Sequence, residues 1–216
     1  MEPKDFFRML YPPPVNVDGW LTVWERHEKT TYYFPATAEG IEAASQEAFN
    51  LSSQGKDTYF GVGLRRENLG PDKRGAVKDV AGIPGFWADV DCKEGIHSSD
   101  ALPTKGEARE FLLSLPHPPS IIIDSGGGYH AYWIFNSGFL PTPTKEDRER
   151  VGKQSKLFHT ALAALMAEKN WKLDNTSDLP RVLRVPGTRN HKTPSEPRPV
   201  EAVEINDRRY SLDVLV

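Results

Sequence analysis

Gly85-Phe-Trp-Ala-Asp-Val-Asp91 and Ser120-Ile-Ile-Ile-Asp-Ser-Gly-Gly-Gly-Tyr-His-Ala-Tyr-Trp-Ile-Phe135 are the two runs on which the fold turns. The first reads as an apolar strand over Gly85 to Val90 that ends in acid. The second reads as a hairpin with arms Ser120 to Ile123 and Tyr129 to Phe135. Its turn, Asp124-Ser-Gly-Gly-Gly128, supplies glycines that take positive φ without steric cost. Between the two runs, Thr104-Lys-Gly-Glu107 has the form of a capping box and starts a helix.

Beyond the hairpin, Thr144 with Asp147 three residues on marks the start of a long helix. Helical spacing puts Val151, Gln154, Phe158, Ala161, Leu162 and Leu165 on its buried face. A strand at Arg181 to Val185 then closes the block. The order strand, helix, strand, strand, helix, strand is a split βαββαβ unit, as in ferredoxin-like and RRM-like folds, so the expected class is α+β.

Upstream lies a smaller α/β block. It holds a short opening helix, an aromatic stretch from Trp20 to Phe34, a helix from about Thr37 to Leu51 and a strand at Thr58 to Leu64. The polar segment Arg65 to Asp79 reads as a mobile basic loop. Two lobes are therefore expected, 1–80 and 81–216, with proline-rich entry and exit segments at Pro12 to Pro14 and Pro194 to Pro199.

With 216 residues, 38% hydrophobic, the chain can bury a real core. Cys92 is its one cysteine, so an internal disulfide is excluded, and no apolar run suggests a signal peptide or membrane span. A cytosolic protein with no membrane contact is expected. The formal charge of -3 excludes a protein that coats nucleic acid by bulk charge, so any such contact must be local. Cations gather at Arg65, Arg66, Lys73, Arg74 and Lys78, and again at Arg181, Arg184, Arg189, Lys192 and Arg198. A solvated face is the plainer account of each cluster taken alone.

Side chains alternate along Phe86 to Asp91, so Trp87, Asp89 and Asp91 share one face. The Cα atoms of the two aspartates lie roughly 6 to 7 Å apart along such a strand, close enough for both carboxylates to meet one hard cation. Solvated acids at a strand end are the alternative. On the returning arm, Gly128, His130 and Tyr132 share a face. If the two strands are neighbours, His130 sits beside the acids, where a cationic or donor imidazole can meet a phosphate; an isolated core histidine is the rival account.

A third cluster runs Leu173-Asp-Asn-Thr-Ser-Asp-Leu-Pro-Arg-Val-Leu-Arg-Val-Pro-Gly-Thr-Arg-Asn-His-Lys192. It mixes acids with cations, the combination that phosphoryl transfer asks for. Structurally, Asp178 can equally cap a turn and the arginines pair with surface acids.

In order, these three motifs resemble those of the archaeo-eukaryotic primase superfamily, in particular the primase-polymerase domains of plasmids, phages and mobile elements. The matches are Asp89-Val-Asp91, Ser125-Gly-Gly-Gly-Tyr-His130 and the Arg181 to Lys192 segment; the similarity spans roughly Tyr59 to Lys192. The resemblance implies a two-lobed core, a small N-terminal α/β lobe with an RRM-like catalytic lobe. It implies two Mg2+ or Mn2+ ions on Asp89 and Asp91, with Asp174 as third ligand and Asp178 as its rival. His130, with Ser125 and Gly128 of the hairpin, would contact the incoming NTP or dNTP, and Arg181, Arg184, Asn190 and Lys192 its triphosphate. Relatives often carry a basic or hydroxyl residue in the turn where this chain has Gly126 to Gly128, so backbone N–H groups are expected to serve there.

The activity implied is template-directed nucleotidyl transfer, making or extending primers on a single-stranded DNA template. A helicase or a C-terminal helical primase module is the partner that many relatives carry. Two other classes fit the same acids: a metal-dependent nuclease, and a non-catalytic replication-initiator module that binds DNA through its sheet.

Overall fold

Pro3 opens the first helix, α1 (Pro3–Leu10), where a missing N–H costs nothing. Its Phe6, Phe7 and Leu10 are completely buried. The computed structural model describes residues 1–13, 18–95 and 101–216, so the expected entry segment Pro12 to Pro14 lies partly outside the described residues. The aromatic stretch forms a hairpin of β1 (Trp20–Glu25) and β2 (Thr31–Pro35), with Leu21 opposite Phe34 and Val23 opposite Tyr32. The next helix, α2 (Ala38–Ser53), is capped by Thr37, whose hydroxyl accepts from the Gly40 N–H at 3.1 Å. Then come β3 (Thr58–Gly61), β4 (Leu64–Arg65) and β5 (Val80–Ile83).

The segment expected to be a mobile loop, Arg65 to Asp79, is pinned at several points. Arg65 is fully buried, and its guanidinium donates to three carbonyls: Arg74 at 2.8 Å, Pro180 at 3.1 Å, and Gly63. Burial pushes that guanidinium down to about 10, which still leaves it cationic at neutral pH. Tyr33 donates to the Lys73 carbonyl at 2.6 Å, and the Thr31 N–H to that of Pro71 at 2.8 Å. Buried charge and carbonyl partners override the local polarity that suggested freedom.

The second block begins with β6 (Gly85–Asp91), α3 (Lys105–Ser114) and the hairpin of β7 (Ile121–Asp124) and β8 (Gly128–Ile134). It continues through β9 (Leu140–Pro141), α4 (Lys145–Ala167), β10 (Val182–Arg184), β11 (Arg189–Asn190), β12 (Arg198–Pro199), β13 (Glu201–Ile205) and a short α5 (Leu212–Leu215). Both expected capping boxes form: Thr104 with Glu107, and Thr144 with Asp147. The inner face of α4 is rotated from the expected one. It buries Val151, Ser155, Phe158, His159, Leu162 and Met166, while Ala161 and Leu165 are exposed and Gln154 is half-buried. Packing of Phe158 against Phe86 and Trp133, at 5.1 and 4.9 Å between centroids, sets that rotation.

Two antiparallel sheets result among the described residues. One runs β10-β3-β1-β4-β5-β9, with β2 also on β1; the other runs β13-β7-β8-β6. The second sheet with α3 and α4 is the βαββαβ unit, but its closing strand is β13, paired to β7, and not the expected Arg181 to Val185. That segment, as β10, pairs with β3 in the first sheet, Leu183 opposite Phe60. The expected boundary at residue 80 is accordingly not a sheet boundary, since β5, β9 and β10 all belong to the first sheet. A single apolar core joins the two, with Phe6 wedged between Phe60 of one and Tyr132 of the other at 5.2 and 5.5 Å.

Candidate active site

Strand register gathers the site. Asp89 lies directly opposite His130, and Asp91 opposite Gly128, across the β6–β8 pair. The cleft they face, of about 630 Å³, is within the range that holds a small ligand. Its wall is completed by Ser125 of the glycine turn, and by Arg184, Asn190 and Lys192 of the third motif. Three segments far apart in the chain thus converge, because β10 in the first sheet carries Arg184 to the edge of the second.

The glycine turn is held from beneath. The Ser125 N–H and hydroxyl both donate to the Gly128 carbonyl, at 2.9 and 3.1 Å, and the Gly126 N–H donates to the Asp124 carboxylate at 2.8 Å. Gly126 has φ +87°, a region closed to most side chains. A Cβ there would meet Asn190 and Arg198 at 3.0 to 3.2 Å. Asn190 in turn donates to the Ser125 carbonyl at 2.8 Å, and Arg198 to that of Gly126 at 2.9 Å. Thus the turn and the third motif brace each other.

Asp89 sits in the cleft floor, where burial pushes its carboxyl up to about 6; Arg181, Lys192 and Arg184 act against the shift and Asp174 adds to it. A carboxylate that is costly to ionise gains from a cation beside it. His130 Nε2 is 3.6 Å from Asp89, too long for a hydrogen bond. Burial first, and then Arg184, hold its imidazole down at about 3, so it is neutral at pH 7. The expected cationic form therefore gives way to a neutral ring that donates from one nitrogen.

Arg184 is 4% exposed; it donates to Asp57 at 2.7 Å and lies 4.6 Å over the Tyr59 ring. Its Nη2 and the Nδ1 of His130 are buried with no protein partner. Buried nitrogens in a cleft wall are costly unless a ligand or water satisfies them. Asp57 and Tyr59 escaped the sequence reading, since Asp57 lies 127 residues from its partner. Arg198 was visible only as one cation in a cluster.

Not every expected residue reaches the cleft. Asp174 is exposed and pairs with Lys172 at 3.5 Å, facing a recess beside His159. Asp178 is paired to Arg181, which takes both out of the cleft wall. Gly128 is buried in its strand, without a place on that wall. Among the described residues no three His, Cys, Asp or Glu side chains gather as a metal cage. The donor set still suits Mg2+ or Mn2+, which are commonly held by one or two carboxylates with substrate phosphates and water.

No protein-family model matches the chain, and no curated protein matches it in sequence. Its structure, however, is similar to solved ones. The archaeo-eukaryotic primase domain of the cyanophage S-2L primase-polymerase superposes with a TM-score of 0.55 at 19% identity, covering 97% of this chain and 92% of that one. The catalytic domain of the primase RepB′, in complex with initiator DNA, gives 0.54 at 12% identity over 97% and 88%. A second RepB′ structure gives 0.54 at 12%, with 58% of that longer chain covered. The fold read from the two motif-bearing runs is thus the fold of primase and primase-polymerase catalytic domains.

Proposed function

We propose that the chain is a DNA primase-polymerase domain that transfers nucleotides from NTPs or dNTPs onto a primer strand, on a single-stranded template. The observation that carries this is the cleft itself. Two carboxylates stand on one wall, and two buried, unpartnered nitrogens, His130 Nδ1 and Arg184 Nη2, stand on the others. An anionic ligand with many acceptor oxygens, such as a triphosphate, satisfies both nitrogens, and the carboxylates supply ligands for its accompanying cations. The likeness to domains that are primases and polymerases by name, one of them bound to initiator DNA, supports the same reading.

In this reading, Mg2+ or Mn2+ held by Asp89 and Asp91 supplies activation of the attacking hydroxyl and neutralisation of phosphate charge. Arg184, fixed by Asp57 and Tyr59, and Lys192 position the triphosphate, and the neutral His130 donates one hydrogen bond to it. Asn190 and the glycine turn hold the wall against which it lies. Asp174 remains the proposed third ligand, which requires the 172–174 segment to turn from Lys172 toward Asp89.

The test is a template-dependent assay with labelled NTP and dNTP supplied separately, with and without a primer. Strand lengthening is expected in Mg2+ or Mn2+, and it falls to background in Asp89→Ala/Asp91→Ala. Wild-type incorporation by that variant overturns the assignment. Strands that shorten without triphosphates identify a nuclease instead, and tight metal-independent binding to specific duplex DNA identifies an initiator module.

A further inference from the structure

A second depression opens beside the cleft, where three loops converge at one end of the first sheet. The β1–β2 turn contributes Arg26 and His27, the α2–β3 connection Lys56 and Asp57, and the segment after β11 His191 and Lys192. Lys192 lines both this groove and the cleft, so the two are continuous.

The groove is a built feature. Glu25 is wholly buried; its carboxylate accepts the backbone N–H groups of His27 and Glu28, which sets the turn so that Arg26 and His27 are exposed. Asp57 is the wall shared with the cleft. Its carboxylate accepts from Arg184 on one side and from the His191 N–H on the other, both near 2.8 Å, and its carbonyl accepts the Arg26 N–H at 3.1 Å. Because Asp57 is already paired, its charge is offset. Lys56 is paired with Glu28 at 3.1 Å, whereas no carboxylate pairs with Arg26 or Lys192 among the described residues. The groove is therefore net positive, with two imidazoles able to add to that charge.

We propose that this groove carries the sugar–phosphate backbone of a single DNA strand into the cleft. The ligand class follows from the lining. It has cations and polar groups but no phenylalanine, tyrosine or tryptophan, so it can neutralise phosphates but cannot stack bases. Binding should then be indifferent to sequence and steep in salt. Naming the ligand a strand rests on the proposed nucleotidyl transfer; the positive groove itself does not.

Fluorescence anisotropy with labelled oligo-dT and oligo-dC on the full chain, over a range of salt, tests this. Arg26→Glu/His27→Glu is expected to weaken both oligonucleotides at least about tenfold. The slope of log affinity against log salt becomes shallower by roughly 1.4, as for two lost phosphate contacts on a single strand. Both side chains are exposed, so the thermal midpoint should hold; Arg26→Gln/His27→Gln should show the same effect in smaller degree. Lys153→Glu on α4, outside both depressions, should leave binding unchanged. Wild-type affinity and slope in the Glu double variant overturn the proposal. So does a calorimetric loss of pyrophosphate binding with oligonucleotide binding intact, which assigns the groove to a free anion. If strand binding depends on Arg26 and His27 but the wild type incorporates no nucleotide, the groove stands and the proposed activity fails.

Discussion

His159 shows what a buried titratable group does where no ligand explains it. It is 4% exposed on α4, and neither ring nitrogen has a well-formed hydrogen bond. Burial holds its imidazole down at about 4, with the backbone of Trp87 opposing and Arg181 reinforcing the shift. The unfolded chain, near 6.5, takes up the proton first as pH falls. Stability from this group is thus complete above about 6.5 and is lost between there and about 4, on the order of 2 kcal/mol by pH 5. Urea unfolding at pH 7 and pH 5 should show that loss in the wild type, and His159→Phe should reduce it. At this scale Asp89, Asp91 and His130 were legible, because strand alternation and the register of one hairpin suffice to place them. Asp57 and the neutral state of His130 were not, because each depends on neighbours distant in the chain and on burial.

Among the elements, the glycine turn between β7 and β8 makes the sharpest demand on sequence. Gly126→Ala must place a Cβ at φ +87° against Asn190 and Arg198, the two side chains that join the turn to the third motif. A loss of about 1 to 2 kcal/mol is expected, with KM for the nucleotide rising more than kcat falls. Gly106→Ala, in α3 with no contact closer than 4.0 Å, should instead stabilise by roughly 0.5 to 1 kcal/mol. Denaturant midpoints and steady-state kinetics check both. The hairpin and the capped starts of α3 and α4 were readable because their signals are local. The face of α4 slipped because Gln154, Ala161 and Leu165 fit a helical stripe as well as Ser155, His159 and Met166 do. The two-residue strands β4, β9, β11 and β12 carry no periodic signal; only their partners define them.

For the whole molecule, the weaving of the chain between sheets outweighs the division into lobes. A fragment of residues 1–80 would keep β1 to β4 but lack most of β5 and all of β9 and β10, leaving both edges of the first sheet unpaired and Phe60 and Phe6 without Tyr132. It is expected to aggregate or remain unfolded, as size-exclusion chromatography and circular dichroism would show; a soluble, cooperatively melting fragment would contradict this.

The place of β10 also bears on how the protein is made. A ribosome releases the chain from its N-terminus, and the first sheet's edge at β3 has no partner until residue 184 has emerged. Its early strands must therefore wait through most of synthesis with backbone groups exposed, a period in which chaperone occupancy, and not intrinsic stability, governs yield.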